Sequence, residues 1–156
     1  MNSSIAILKQ TRMLILNAVK DLTQEQWFAM PDGFDNNIAW NVGHIVTSMQ
    51  GMVYRNSGLE MNATPEMIAN FKPGTSPLDW SEQPDTAQIL SLLSEHAEIL
   101  ERDAADGKLD VDYNGFTTKS GLTIQTVEEA INFDIFHEGL HLGTVLALKN
   151  FVAPAT

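Results

Sequence analysis

The chain has 156 residues, no cysteine and a formal net charge of −11, from 20 Asp+Glu against 9 Lys+Arg. That length is enough for one domain, 1–156, with a proper core. Disulfide scaffolds, thiolate metal sites and a cysteine nucleophile are excluded, and the acidic balance leaves no basic footprint for nucleic acid or an anionic membrane. There is no basic segment followed by an apolar leader at the N-terminus and no run of about 18 apolar residues, so a cytoplasmic protein is expected.

Ile5, Leu8, Met13, Leu16, Val19 and Leu22 trace a helical stripe, which predicts a first long helix over Ile5 to Leu22. Thr23 with Gln26 is a capping-box pattern that opens a short turn through Trp27 and Phe28. Pro31-Asp32-Gly33 closes it. Asn36 or Asn37 then caps a second long helix, running to about Asn56 with Gly58 just past its end. Its core stripe is Ile38, Val42, Ile45, Met49 and Met52, and a second face carries Asn37, Trp40, Asn41, His44, Ser48 and Gly51. Residues 57–84 form a long connection, of the kind that often serves as a lid. Within it, Thr64-Pro65-Glu66 starts a short helix to about Phe71, and Trp80 is expected to tuck the loop onto the bundle.

The third long helix runs from Asp85 to Asp106 and is closed by Gly107. His96 lies between Glu95 and Glu98 and is expected as a partly exposed pair partner at the bundle edge. Asn114-Gly115 suggests a hairpin turn between 111–113 and 116–118. Thr123 is expected to cap the last helix, to about Phe151, which is apolar on all sides and therefore expected to be buried. Four long helices argue for an all-α four-helix bundle.

In the middle of the last helix sits His137-Glu138-Gly139-Leu140-His141. Histidines four apart share one helix face, one turn apart, where both can reach a single divalent ion. The H-E-x-x-H pattern reads mechanically as a zinc protease with Glu138 as general base. No His, Asp or Glu follows His141 to supply the third ligand such enzymes take downstream, and no sheet is expected to hold a peptide strand, so a protease fits poorly. A third ligand must come from upstream, from His44 or His96, and His44 on its polar face is the better candidate. Three imidazoles with an open position are the donor set of catalytic sites. The rival reading is a set of core histidines donating to backbone carbonyls. Gly43, Gly139 and Gly143 indicate either close helix approach or room for a ligand. Asp134, one turn before His137, is a candidate to orient an imidazole or hold a water, or else a residue satisfied by a neighbouring helix. Glu138 points around the helix from the pair, which favours a salt bridge over base chemistry.

Asn37-Ile38-Ala39-Trp40-Asn41-Val42-Gly43-His44, followed by His137-Glu138-Gly139-Leu140-His141-Leu142-Gly143, resembles the DinB-like (YfiT-like) superfamily; the turn Leu22 to Gln26 is similar too. The resemblance implies an up-down-down-up four-helix bundle, often a homodimer, with His44, His137 and His141 as ligands to a divalent metal, commonly nickel or zinc. His96 matches no family ligand. Leu142-Gly143-Thr144 departs from the Gly-Gln that many relatives carry after the second histidine of the pair. Characterised relatives include isomerases and S-transferases that use a low-molecular-weight thiol, so the expected function is metal-dependent chemistry on a small molecule, either thiol transfer or hydrolysis. The alternative is a dimeric bundle, with or without metal, that binds or interacts without catalysis.

Overall fold

The computed structural model describes residues 1–153. Its four long helices are α1 (Asn2–Val19), α3 (Ile38–Met49), α5 (Thr86–Ala105) and α6 (Val127–Val152); two short helices, α2 (Gln24–Phe28) and α4 (Pro65–Phe71), lie in the connections. The amino group of Met1 pairs with Glu128, and Lys149 Nζ donates to the Ala18 carbonyl at 2.6 Å, so α1 and α6 run parallel. Lys9 pairs with Glu98 and Glu101 while Arg12 reaches the Leu93 carbonyl, which makes α5 antiparallel to α1. Asn41 meets His141 and His44 meets His137, which makes α3 antiparallel to α6. The order is up-down-down-up, as expected.

Local chemistry sets most of the helix starts. Thr23 and Gln26 form the reciprocal capping box, Asn37 Oδ1 accepts from Trp40 N at 2.8 Å, and Asp85 Oδ1 accepts from Ala87 N at 2.8 Å. The cap of α6 is Thr126, three residues beyond the expected Thr123; its hydroxyl accepts from Glu129 N at 3.1 Å. Thr123 instead pairs in a small antiparallel hairpin, β1 (Phe116–Thr117) with β2 (Thr123–Ile124). The expected turn at Asn114-Gly115 is therefore wrong by one strand. Gly121, at φ +90°, shapes the turn, and Gly115 lets the chain pass the Ile124 carbonyl, which an added Cβ would meet at 2.8 Å.

The core is divided. Ile15, Val19, Ile45, Leu93, Val145 and Leu148 belong to one apolar cluster, and Ile5, Leu8, Met49, Leu100, Ala130 and Ile131 to another. Between them, at mid-height, lies a layer of buried polar groups: Arg12, His96, Asp134 and Glu138, none more than 1% exposed. The stripe on α1 is thus Ile5, Leu8, Arg12, Ile15, Val19, and the expected Met13 is 54% exposed. The long guanidinium side chain takes a core position because Glu138 Oε1 receives it at 2.7 and 2.9 Å from α6. Nor is α6 buried all round. Phe136, Leu140 and Leu146 are 60%, 57% and 46% exposed, because the inward positions are occupied by Asp134 and Glu138.

After Met49 the second long helix does not continue regularly. It widens into a π-helical turn, Gln50–Tyr54, then tightens into a 3₁₀ turn, Arg55–Ser57, and stops at Gly58 with φ +68°. Trp80 packs edge-on against Phe28 and Phe71, with centroids at 6.1 and 5.5 Å, and its indole N–H donates to the Asn70 carbonyl. The 57–84 connection is held down as expected, with α4 against α3.

Candidate metal centre

The structure brings His44, His137 and His141 together, each offering a ring nitrogen, with the three atoms all within 4.8 Å of one another. Each imidazole has a different hold. His44 Nδ1 donates to the Phe71 carbonyl at 2.6 Å, which leaves Nε2 as the nitrogen with a lone pair. That contact requires α4 to lie directly on α3, and Gly43 permits it: an added Cβ would sit 2.5 Å from the Phe71 ring. Of the three glycines singled out in the sequence, Gly43 serves close approach. Gly139 and Gly143 do not, since an added Cβ would meet nothing within 4 Å at either.

His141 Nδ1 donates to Asn41 Oδ1 at 2.8 Å, and Asn41 Nδ2 in turn donates to the Asn37 carbonyl at 2.8 Å, which fixes the amide. Trp40 stacks on His44 at 4.5 Å and 11°. So the polar face of α3 works as one unit: cap, amide and imidazole in successive turns. The Nε2 atoms of His137 and His141 approach to 3.2 Å, two like nitrogens converging on one point. Ser48 Oγ lies 3.1 Å from His44 Nε2.

Burial keeps the imidazoles uncharged. It lowers His44, takes His137 down to about 4 with help from the neighbouring His44, and takes His141 down to about 3 with help from His137 and His44. Uncharged, converging, oriented imidazoles are the donor chemistry that a divalent ion takes, and these residues fit one.

Behind His137 sits Asp134, fully buried, with Oδ1 3.8 Å from Nδ1. Neither Asp134 oxygen has a hydrogen-bond partner among the described residues, nor does His137 Nδ1. Burial, then the charge of Glu138, push the Asp134 carboxyl well above the usual carboxylate range. Burial also raises Glu138, and Arg12 pulls it back. One guanidinium thus faces two buried carboxyls. Glu138 is turned into the bundle, where it is a salt-bridge partner.

His96 stands apart from this cluster. It is 1% exposed rather than at the edge, and its Nε2 donates to the Asn62 carbonyl at 2.8 Å. Glu95 and Glu98 are exposed, one and two residues from His96 and so about 100° and about 200° around α5 from it, and the 57–84 connection covers the ring through the Asn62 carbonyl.

A cavity of about 360 Å³ opens against His44 and His137. His44, His137, Ser48 and Thr47 form its polar end, and the 57–84 connection supplies Met61, Ile68, Lys72 and Pro73 along one wall. Neither Asp134 nor Glu138 lines it. Sequence reasoning passed over Arg12, Arg55, Lys72 and the Phe71 carbonyl. Arg12 could have been found, since it falls four residues after Leu8 and three before Ile15, on the buried stripe. The Phe71 carbonyl carries no side-chain signal at all.

YfiT from Bacillus subtilis, described as a probable metal-dependent hydrolase with an unusual four-helix bundle topology, is similar in structure. The match has a TM-score of 0.63 at 19% identity and covers 98% of this chain and 87% of that one. No curated protein matched the chain. The sequence model of the DinB superfamily matches residues 7–145, and the chain belongs to that superfamily.

Proposed function

We propose that the protein is a divalent-metal-dependent enzyme acting on a small molecule, with His44, His137 and His141 as ligands and zinc or nickel as the ion. One observation carries the reading: three neutral imidazoles converge, two of them pinned from behind by oxygen acceptors, at the end of a cavity. Core histidines kept only for packing have no reason to point Nε2 at Nε2. The similar YfiT structure, as a probable metal-dependent hydrolase, supports the same class.

When bound, the ion supplies Lewis acidity, which makes water or a thiol that it meets a stronger acid. The chain's own part is to orient and enclose. Phe71 and Asn41 fix two rings, and Asp134 is placed to take up the Nδ1–H of His137 and fix the third. Ser48 holds a hydroxyl at the polar end of the cavity for a water or a substrate oxygen. Among the described residues no carboxylate lines the cavity to act as general base, which leaves Asp134 as a positioning group for His137 and Glu138 as the partner of Arg12. With no cysteine in the chain, a thiol nucleophile must enter from outside, which keeps a low-molecular-weight thiol as co-substrate. We also propose a homodimer, through the exposed face of α6. In a chain of net charge −11 that face carries no charge from Asn132 through Phe136, Leu140 and Gly143 to Leu146.

The test is metal stoichiometry of untagged protein, stripped with chelator and titrated with zinc or nickel. About one ion per chain is expected, lost in His44→Ala, His137→Ala and His141→Ala with helical content retained. A native chain that takes up neither metal ends the catalytic reading.

A further inference from the structure

We infer that the cavity beside the three histidines selects a small molecule with an anionic head, a carboxylate or phosphate, joined to an apolar body. The inference rests on the proposed metal centre for what happens to that molecule, but not for its capture.

Three observations carry it. The first is charge. The chain has 20 Asp+Glu and 9 Lys+Arg, yet the cavity lining contains no acid and two cations, Arg55 and Lys72. Elsewhere the cations are largely engaged: Lys9, Arg12, Arg102 and Lys108 are in ion pairs, and Lys149 donates to a helix carbonyl. Arg55 and Lys72 have no carboxylate partner among the described residues. Two unpaired cations sharing one cavity in so acidic a chain create a local field that an anion, and not a cation, can use.

The second is backbone. Arg55 follows the π-helical turn Gln50–Tyr54, a rare irregularity that changes which way the following side chains face. Gly51 lies in that turn, and an added Cβ there would be 3.5 Å from Arg55 Nη2. The guanidinium therefore lies close to the bare backbone of Gly51, and both residues line the cavity.

The third is the chemistry of the remaining wall. Met52, Met61, Ile68, Phe116 and Phe133 are apolar, and they line the same cavity as the two cations and His137. An anionic head on Arg55 and Lys72 would lay the rest of the molecule over these groups, toward the histidines. Guanidinium and ammonium both recognise oxyanions through charge-assisted hydrogen bonds.

The experiment uses three probes of equal hexyl body: hexyl phosphate, heptanoate and 1-hexanol. Each is titrated by calorimetry into zinc-stripped and zinc-loaded full-length protein, native and Arg55→Gln/Lys72→Gln. Both residues are exposed, so the double variant is expected to fold normally. We expect at least one anion to bind stripped protein about tenfold or more tightly than hexanol, and the preference to vanish in the double variant with zinc uptake unchanged. Whichever anion binds more tightly identifies phosphate or carboxylate as the head. Equal binding of hexanol, an anion preference that survives the double substitution, or no binding of any probe would overturn the inference. Since the stripped protein is titrated alone, loss of the metal reading through absent zinc or nickel uptake is a separate result.

Discussion

The two faces of α6 reverse the usual order of a surface helix. The inner face, at mid-height, carries Asp134, Glu138, His137 and His141; the outer face carries Phe136, Leu140 and Leu146, all roughly half exposed. A surface helix normally buries its apolar stripe and solvates its polar one. Here Glu138 answers Arg12, and His137 and His141 converge with His44 on one point. The outer face is left apolar without a partner inside the chain. The contrast teaches that on this helix burial follows pairing and convergence within the chain rather than the polarity of the side chain.

The inner face should be the costlier one to disturb. Arg12→Met leaves the Glu138 carboxylate buried without its cation, and breaking such a pair costs about 3–5 kcal/mol. Arg12→Met/Glu138→Leu should recover most of that loss, because an apolar replacement removes both desolvation penalties. Chemical denaturation of the two variants compares them directly. A double variant as unstable as the single would show that the polar layer acts through something other than charge pairing. Next in size is Gly43→Ala. The new methyl group meets the fully buried Phe71 ring at 2.5 Å, and overpacking of that kind costs about 1–3 kcal/mol. It also displaces the carbonyl that orients His44, so metal affinity should fall along with Tm. A drop in Tm with metal affinity intact would separate α4 docking from the site.

The metal-free protein should also show the inner face in its pH dependence. His137 is held to about 4 and His141 to about 3, against 6.5 when unfolded. Between pH 6.5 and 4 the unfolded chain therefore binds protons that the folded chain refuses. Stability from these groups is complete above about pH 6.5 and falls as pH falls. Asp134 works the other way: its folded value is raised, so its contribution is present at low pH and lost as pH rises. Comparing native protein with His137→Gln/His141→Gln removes that second effect, because both chains carry the carboxyls. The native chain should lose up to about 4 kcal/mol more than the variant between pH 7 and pH 5, about half from each ring, and less in proportion to their partial exposure. Parallel pH profiles would mean the histidines are better solvated than their burial implies.

How much of this was legible follows from what a sequence encodes locally. The helix starts at Thr23, Asn37 and Thr64, and the i,i+4 spacing of the histidine pair, are written in neighbouring residues, and the three caps are as expected. His44 and Asn41 were readable because one helix face collects polar residues at turn spacing. What failed was non-local. Arg12 looks like a solvated cation until Glu138, far along the chain, is opposite it. His96 looks exposed beside two glutamates until Asn62 covers it. The hairpin shifted because Gly115 is required by the Ile124 carbonyl, a contact across the turn that no dipeptide pattern records. The π turn at Gln50–Tyr54 leaves no mark that periodicity detects.

The outer face is tested by the smallest change. Glycine inside a helix costs about 1 kcal/mol relative to alanine, and Gly139 and Gly143 are both on the exposed side with nothing within 4 Å of an added Cβ. In an isolated protomer, Gly139→Ala/Gly143→Ala should therefore raise stability. Glycines four apart beside Phe136 and Leu140 also form a shallow seam where a second helix can approach, and the new methyl groups would hold it off. The proposed homodimer predicts opposite effects in two measurements. Thermal stability at protein concentrations too low for dimer should rise, while sedimentation at higher concentration should show weaker association. Phe136→Ser supplies the other arm, since it should weaken association and change protomer stability by no more than about 0.5 kcal/mol. A glycine variant that gains stability and keeps its association unchanged would move the dimer contact off this face. What then needs explaining is why a helix with room for side chains keeps two glycines.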